Sequence, residues 1–280
     1  MTGISGEHAG PPQVRILPLG GTGRRPLGAP VSSLVVTGLV KRFGGLLATD
    51  HLSITLETGE IHAVIGPNGA GKTTLINQLG GEIQPDEGRI VFDGQDLTLL
   101  PTFRRALAGL GRSYQITSVF TDFSVLQNVC MAVQAHAGHS FGFWRAAASE
   151  AALVGPAMAA LQLVGLETQA QRPVATLAHG ERRQLEIAMT LATAPKLLLL
   201  DEPMAGMSHT ESEGVVALLQ KLKGRYTVLL VEHDMDAVFA LADRITVLVY
   251  GRPIACGTPA AIRANADVRE AYLGEQEVPA

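Results

Sequence analysis

The stretch Gly66-Pro67-Asn68-Gly69-Ala70-Gly71-Lys72-Thr73 decides the fold. It satisfies the pattern G-x-x-x-x-G-K-[ST], and it lies between the apolar run 61–65, typical of a buried strand, and the helical pattern 73–79. Glycines let successive backbone N–H groups turn inward around an anion, and the following helix N-terminus adds a partial positive charge. The sequence therefore predicts a phosphate-binding loop, whose Lys72 reaches the β- and γ-phosphates of a nucleotide.

Hydroxyl side chains at the end of this loop extend the predicted site. The Thr73 hydroxyl is offered to Mg²⁺, and Thr74 caps the same site. A glycine-rich turn that only packs is the alternative, but the strand, the Lys-Thr pair and the helix together favour nucleotide binding. A dinucleotide-binding loop built on Gly69-Ala70-Gly71 is excluded, because Thr74 stands at its third glycine position.

Two adjacent carboxylates, Asp201 and Glu202, follow the apolar run 197–200. Asp201 is suited to hold the Mg²⁺ shell, as the corresponding Asp does in P-loop ATPases. Glu202 is placed to polarise an attacking water, which is the base role in an in-line hydrolysis. A strand end with two solvated acids is the alternative, and it would be favoured only without the phosphate-binding loop.

The strand and helix signals fall into two blocks around a helical segment. From about residue 117 to 175 strand signals vanish, and two helical stretches appear near 124–135 and 144–163. The later strands are too apolar for one of their faces to be exposed to solvent. Strands of this kind are typical of a parallel sheet that is covered on both sides. The predicted strands are 34–40, 52–56, 61–65, 89–92, 196–200, 227–231 and 244–249. A further helix is predicted to begin with the capping box Thr210-x-x-Glu213 and to bury Val215, Leu218, Leu219 and Leu222.

The composition limits the classes of protein to which the chain can belong. With 22 Lys+Arg against 26 Asp+Glu, the net charge of −4 lacks the basic field of a nucleic-acid-binding protein. Charged residues make up 17% where about 25% is usual, so we expect other protein to cover part of the surface. The longest apolar run, 237–242, is far short of the roughly 20 residues that span a bilayer. Two cysteines exclude a disulfide framework or a four-ligand zinc site.

The first 30 residues differ from the rest of the chain. They contain seven Gly and five Pro without apolar periodicity, so we expect a disordered leader over 1–30 and one domain over 31–280. Arg24-Arg25 is followed by Pro26 and not by the apolar core of an export signal. With no signal peptide visible, we expect a cytoplasmic protein.

Further motifs resemble those of the ATP-binding-cassette (ABC) ATPases. The stretch Leu177-Ala178-His179-Gly180-Glu181 is similar to the signature motif of that family, Gln115 to its Q-loop glutamine and His233 to its switch histidine. Phe43 precedes the phosphate-binding loop at the distance of the aromatic that stacks on adenine. The resemblance covers about 34–274, and it implies a P-loop α/β fold with a mostly parallel sheet, an antiparallel β subdomain and an inserted helical subdomain at about 117–175.

The resemblance implies a head-to-tail dimer of cassettes with two ATP molecules between them. Residues Ala178, His179, Gly180 and Glu181 would then lie at the partner's nucleotide, with the Gly180 N–H group facing its γ-phosphate. His233 would contact the γ-phosphate and help hold the attacking water. Gln115 would sense Mg²⁺. Considered alone, Gln115 could be an ordinary surface amide and His233 an ordinary histidine at a strand end. The order of all these motifs along the chain favours the roles that the family implies.

Within the family, the chain is similar to ATPase subunits of branched-chain amino-acid importers. The similarity lies in 42–46, in Val231-Glu232-His233-Asp234-Met235 and in the tail 257–274. It implies ATP hydrolysis at the cytoplasmic face of the inner membrane, with two transmembrane permease subunits, a substrate-binding protein and a second, related cassette as partners. Residues 205–209 also resemble urea and short-amide importers. One alternative function is the ATPase of a lipopolysaccharide-type exporter, which has the same fold. A second, from another class, is a soluble ABC ATPase of DNA repair or translation. A single cassette with a net acidic charge disfavours the soluble types.

Two departures from the family pattern affect the predicted site. Ala178 stands where the general signature has Ser, so one hydroxyl bond worth about 1.5–3 kcal/mol is missing. Ser208 occupies the usual Asp position in the loop after Glu202, which affects how that loop couples the two sites. Arg182 and Arg183, after the signature, are interpreted as a solvated face or an interface salt bridge. Phe141, Phe143 and Trp144 are interpreted as the anchor of a loop or part of a groove for a permease helix.

Overall fold

The computed structural model describes residues 33–113, 119–137 and 146–270, and two β-sheets organise them. The smaller sheet is antiparallel, with the strand order β2-β1-β4-β5. Its strands are β1 (Leu34–Phe43), β2 (Leu46–Leu56), β4 (Glu87–Phe92) and β5 (Gln95–Asp96). Because β1 and β2 are joined by the short turn 44–45, each extends beyond its predicted bounds.

The larger sheet has six strands in the order β10-β9-β3-β8-β7-β6. All its strand pairs are parallel except β9 with β10, which confirms the predicted mostly parallel core. Every residue of β3, β7 and β8 is buried, as expected for a sheet covered on both faces. The strands are β3 (Ile61–Ile65), β6 (Leu110–Ser113), β7 (Leu197–Asp201), β8 (Thr227–Val231), β9 (Arg244–Val249) and β10 (Arg252–Gly257).

Helices pack on the larger sheet and share an apolar core with it. Val129 of α3, Leu161 of α4 and Leu185 of α5 belong to one apolar core with residues of β7 and β8. The helices are α1 (Lys72–Gly80), α2 (Thr102–Leu107), α3 (Val125–Ala137), α4 (Ala146–Val164), α5 (His179–Leu191), α6 (His209–Leu222), α7 (Met235–Leu241), α8 (Pro259–Ala264) and α9 (Ala266–Val268). None of the helices in the described ranges combines the length and apolar character needed to cross a bilayer.

The start of α6 differs from the sequence prediction. Its N-cap is Ser208, whose hydroxyl accepts from the Glu211 N–H group at 3.4 Å, while the Glu211 carboxylate accepts from the Ser208 N–H group at 3.0 Å. The predicted capping box Thr210-x-x-Glu213 is therefore wrong by two residues. Ser208-x-x-Glu211 fits the same sequence pattern, and the extended backbone before the helix ends at Ser208. The predicted apolar face, which contains Val215, Leu218, Leu219 and Leu222, is buried.

Candidate functional site

Three predicted site segments meet at one edge of the larger sheet. Strands β3, β8 and β7 are parallel neighbours, so their carboxyl ends lie side by side. The phosphate-binding loop follows β3, His233 follows β8, and Asp201 ends β7 with Glu202 after it. A crevice at the carboxyl ends of parallel strands is where α/β proteins bind ligands. Gln115, which follows β6, lies outside the described residues.

Two glycines of the phosphate-binding loop are required by the packing around it. Gly66 has φ of 152°, and a Cβ atom there would lie 2.1 Å from the Leu248 carbonyl oxygen of β9. Gly71 has φ of 99°, and its Cβ atom would lie 2.2 Å from the Ala48 carbonyl oxygen of β2. Any side chain at either position would collide with a backbone carbonyl oxygen, which cannot move aside as a flexible side chain can. The loop is thereby fixed between the two sheets.

The start of α1 is open to an anion. Its N-cap is Gly71, no side chain caps it, and its first turn contains no acidic residue. The first N–H groups of a helix have no partner within the helix, and they favour negative charge. Among the other loop residues, Ala70 is buried and donates its N–H group to the Pro67 carbonyl at 3.2 Å, while Asn68 and Gly69 are exposed.

Lys72 is the cation of this loop. Its Nζ atom donates to the carbonyl oxygens of Gly66 at 2.7 Å and of Pro67 at 3.1 Å, and the residue is only 7% exposed. Burial lowers the pKa of Lys72, while the charges of Glu202 and Asp201 oppose that shift. The ammonium group therefore lies over the loop and within electrostatic reach of both carboxylates.

The two carboxylates differ in their surroundings. Asp201 is 2% exposed, and burial raises its pKa against the opposing charges of Arg112, Arg183 and Lys72. Glu202 has the left-handed φ of 46°, which is uncommon for a residue other than Gly and is often found at functional sites. Its N–H group donates to the Val231 carbonyl at 2.8 Å, and its Oε1 atom lies 3.9 Å from His233 Nδ1.

The oxygen donors at this edge suit Mg²⁺. Asp201 supplies a buried carboxylate, and Thr73 supplies an exposed hydroxyl at the start of α1. Mg²⁺ is usually bound through one or two carboxylates together with substrate phosphates and waters, and not by a cage of protein side chains. Within the described ranges, no group of three or more His, Cys, Asp or Glu side chains could hold a metal alone. The donor set therefore fits a metal bound together with a nucleotide.

A buried carboxylate that the sequence analysis did not single out connects Glu202 to His233. Glu232 is fully buried. Its Oε1 atom accepts from the Met204 N–H group at 2.9 Å, and its Oε2 atom accepts from the N–H groups of His233 at 3.0 Å and Asp234 at 3.4 Å. Glu232 thus fixes the position of the loop after Glu202 relative to the loop that contains His233.

Replacing Glu232 with Gln tests this connection. Glutamine offers one acceptor oxygen, so at least one of the buried N–H groups would face an NH₂ donor. We expect the free energy of unfolding to fall by about 1–3 kcal/mol, with a larger loss in the rate of the predicted ATP hydrolysis than in the affinity for ATP. Urea unfolding, equilibrium ATP binding and phosphate release measure the three quantities. Asp236→Asn, on the exposed side of α7, is the matched control. Wild-type turnover by Glu232→Gln would show that the contacts are not needed.

The predicted signature motif lies at the start of α5. Ala178 is the N-cap, and the Glu181 carboxylate accepts from its N–H group at 2.9 Å. Because alanine has no side-chain oxygen, only half of a capping box is present. His179 is exposed, and the Gly180 N–H group donates to the Glu211 carboxylate at 3.1 Å.

The interpretation of Arg183 as a solvated or interface cation is wrong. The residue is 8% exposed and pairs with Glu186 at 2.6 Å. Its Nη2 atom donates to the Asp201 carbonyl at 3.1 Å, and its Nε atom donates to the Pro203 carbonyl at 3.1 Å. A buried guanidinium group satisfied in this way joins the helix of the signature motif to the end of β7.

The predicted adenine-stacking residue lies at the end of the first hairpin. Phe43 is 46% exposed and pairs with Leu46 across the turn between β1 and β2, and the Lys41 Nζ atom lies 5.7 Å from the ring centroid. An exposed ring beside the strand that packs on Gly71 suits stacking on a base. Phe141, Phe143 and Trp144 lie outside the described residues.

Two family descriptions match the chain. The family described as "ABC transporter" matches residues 49–205. The family described as "Branched-chain amino acid ATP-binding cassette transporter" matches residues 252–278. The first match covers more than half of the chain and contains both the phosphate-binding loop and the two carboxylates.

Similar proteins are found among both characterised sequences and solved structures. The chain is 41% identical over 249 residues to the high-affinity branched-chain amino acid transport ATP-binding protein BraF of Pseudomonas aeruginosa, with 86% of this chain and 98% of that protein covered. It is 41% identical over 251 residues to LivG of Escherichia coli, with the same coverage. A solved ATP-binding cassette of an ABC transporter in its ADP conformation matches with a TM-score of 0.77 at 28% identity, covering 87% of this chain and 99% of that one. The chain therefore belongs to the ABC transporter family, as a cassette that binds and hydrolyses ATP.

Proposed function

We propose that the chain is the ATP-hydrolysing subunit of an importer for branched-chain amino acids. The observation that carries the proposal is one sheet edge that holds Lys72, the buried Asp201, and Glu202 at 3.9 Å from His233. The C-terminal family match at 252–278 supports the class of substrate. The names of the two relatives, at 41% identity, support it as well.

In the proposed mechanism, the side chains at this edge divide the work between binding and proton transfer. Lys72 and the N–H groups at the start of α1 bind the β- and γ-phosphates. Bound by Asp201, Thr73 and the phosphates, Mg²⁺ would neutralise charge that develops on the phosphate oxygens. Glu202 accepts a proton from the attacking water, and His233 holds that water toward the γ-phosphate.

The remaining predicted residues have roles at the ends of the nucleotide. Phe43 stacks on the adenine, and Thr74 supports the phosphate end. Gln115 senses Mg²⁺ and links the phosphate site to the predicted helical insertion. In a head-to-tail dimer with a second cassette, the start of α5 at Gly180 faces the partner's γ-phosphate, and hydrogen-bond donors aimed at developing charge stabilise the transition state.

Exposed apolar side chains support a partner in the membrane. Phe103 and Leu107 of α2 are 60% and 58% exposed. Phe120 and Phe123, just before α3, stack edge to face with their centroids 5.9 Å apart and are also exposed. Apolar patches of this kind mark sites of protein interaction. We propose that permease subunits cover these side chains and that the chain binds them at the cytoplasmic face of the membrane.

Reconstitution of the complete transporter tests the proposed substrate. The chain is co-expressed with its permease subunits, second cassette and binding protein, and ATPase activity is measured in proteoliposomes. We expect leucine, isoleucine or valine on the binding protein to stimulate hydrolysis. The same complex carrying Glu202→Gln controls for contaminating ATPases. Stimulation by urea or a short amide alone would contradict the proposed substrate while leaving the ATPase role intact.

A further inference from the structure

The Glu211 carboxylate accepts a hydrogen bond from the N–H group of Gly180, although 31 residues separate the two in sequence. Its Oε1 atom accepts from Gly180 at 3.1 Å. Its Oε2 atom accepts from the Ser208 N–H group at 3.0 Å and from the Ser208 hydroxyl at 2.7 Å. A Cβ atom on Gly180 would lie 3.2 Å from Glu211 Cγ, so the side chain covers that face of the glycine. The two oxygens of Glu211 thus connect two separate elements of the fold.

A carboxylate at this place is chemically similar to a phosphate oxygen. Both are anionic acceptors that backbone N–H groups at a helix N-terminus bind well. The pKa of Glu211 lies below its ordinary value because the Ser208 hydroxyl and the N–H groups of Ser208 and Gly180 donate to it. The group is therefore an anion at neutral pH. A backbone N–H group has a single hydrogen, so Gly180 cannot serve two anions well at once.

We propose that Glu211 competes with the partner's γ-phosphate for the Gly180 N–H group, and that it must be displaced when the two cassettes close on ATP. The inference rests on the proposed role of Gly180 as part of the signature motif. In the free chain, Glu211 occupies the donor and places a negative charge where the phosphate would arrive. The closed dimer forms only after that carboxylate moves away.

Displacement of the Glu211 carboxylate would also affect the loop that follows Glu202. Glu211 is held on its other side by Ser208, which ends the loop 203–208 and caps α6. Movement of Glu211 away from Gly180 therefore acts on the loop between Glu202 and α6. In this chain, the Ser208–Glu211 pair provides the connection between the two sites at the position where the family usually has Asp.

The two roles of Glu211 can be separated by mutation. Ser208→Ala removes the hydroxyl contacts and weakens the cap of α6, but it leaves the carboxylate on Gly180. Glu211→Ala removes both roles, and Glu211→Gln retains an acceptor without the charge. Loss of a capping side chain weakens a helix start, so thermal unfolding of each variant is measured first. Glu211→Gln keeps the size of the side chain and tests the proposal even where Glu211→Ala is unstable.

The experiment measures cassette association with hydrolysis blocked. Each change is placed in a Glu202→Gln background, and its Mg·ATP-dependent association with the second cassette is followed by sedimentation velocity. We expect Glu211→Ala to tighten association by about fivefold or more, because a charge-assisted contact no longer competes. Glu211→Gln should give a smaller gain, and Ser208→Ala should give none. Binding of a fluorescent ATP analogue to the single cassette, at its own phosphate-binding loop, should stay constant across the set.

Three outcomes would overturn the proposal. Equal or weaker association of both Glu211 variants would show that the carboxylate does not compete. Equal tightening by Ser208→Ala would assign the effect to the helix cap alone. Failure of the Glu202→Gln parent itself to associate in Mg·ATP would remove the proposed role of the signature motif, and this inference with it. Failure of this inference and failure of the proposed signature-motif role are distinguishable. The Glu202→Gln chain still associates in Mg·ATP in the first two outcomes, and it does not associate in the third.

Discussion

Glu202→Gln is expected to bind Mg·ATP with unchanged affinity and to hydrolyse it about 10²- to 10⁴-fold more slowly, which is the usual contribution of a general base. The amide cannot accept a proton from the attacking water. It has nearly the same size as the carboxylate, and the backbone bond from Glu202 to the Val231 carbonyl at 2.8 Å is unaffected. A closed dimer that binds ATP but does not hydrolyse it should therefore be long-lived.

Phosphate release and sedimentation in Mg·ATP measure the two effects of this change. Glu213→Gln is the matched control, because that side chain is 67% exposed on α6 and contacts His209 at 3.5 Å. An exposed pair of this kind contributes little to stability. Turnover at the wild-type rate by Glu202→Gln would remove Glu202 from the role of base.

Lys72→Ala is expected to weaken ATP binding by about 10- to 100-fold. A hydrogen bond to a charged group contributes about 1.5–3 kcal/mol, which corresponds to this range of affinity. The change also removes the contacts of Nζ with the carbonyl oxygens of Gly66 and Pro67. Because the helix start and the glycines remain, we expect residual binding through the backbone N–H groups.

Equilibrium titration with a fluorescent ATP analogue measures the affinity of Lys72→Ala. Lys196→Ala is the control, since that lysine pairs with Asp93 at the surface and is 64% exposed. Thermal unfolding of both variants separates a binding defect from a folding defect. Unchanged ATP affinity in a folded Lys72→Ala would contradict the assignment of the phosphate-binding loop.

The parts of the fold that follow from local patterns were predictable from the sequence. Strands β3, β8 and β9 have the predicted bounds, because each is a compact apolar run with a clear stop. Thr258 caps α8 and accepts from the Ala261 N–H group at 3.3 Å, and Pro259 after it suits the first turn of a helix. The phosphate-binding loop is similarly encoded within eight consecutive residues.

Other features depend on residues far apart in the chain, and no local pattern indicates them. Strand β6 has the sequence LGRS and β10 has RPIACG, which lack the apolar alternation of a strand and are recruited by a neighbouring strand. Arg105 is fully buried because it donates to carbonyl oxygens at the end of α1 and in the loop before α2. Glu232 and Arg183 are likewise buried polar residues that bond backbone atoms far away in sequence, at Met204 for Glu232 and at Asp201 and Pro203 for Arg183.

The most direct test of the central claim is a structure of the Glu202→Gln chain trapped with Mg·ATP and its second cassette. The claim is that ATP is hydrolysed between the phosphate-binding loop of one cassette and the signature motif of the other. We expect each γ-phosphate to be contacted by Lys72 from one side and by the Gly180 N–H group from the other, with Asp201 at the metal. A complex in which ATP fills the phosphate-binding loop but its γ-phosphate meets no signature motif would contradict the account.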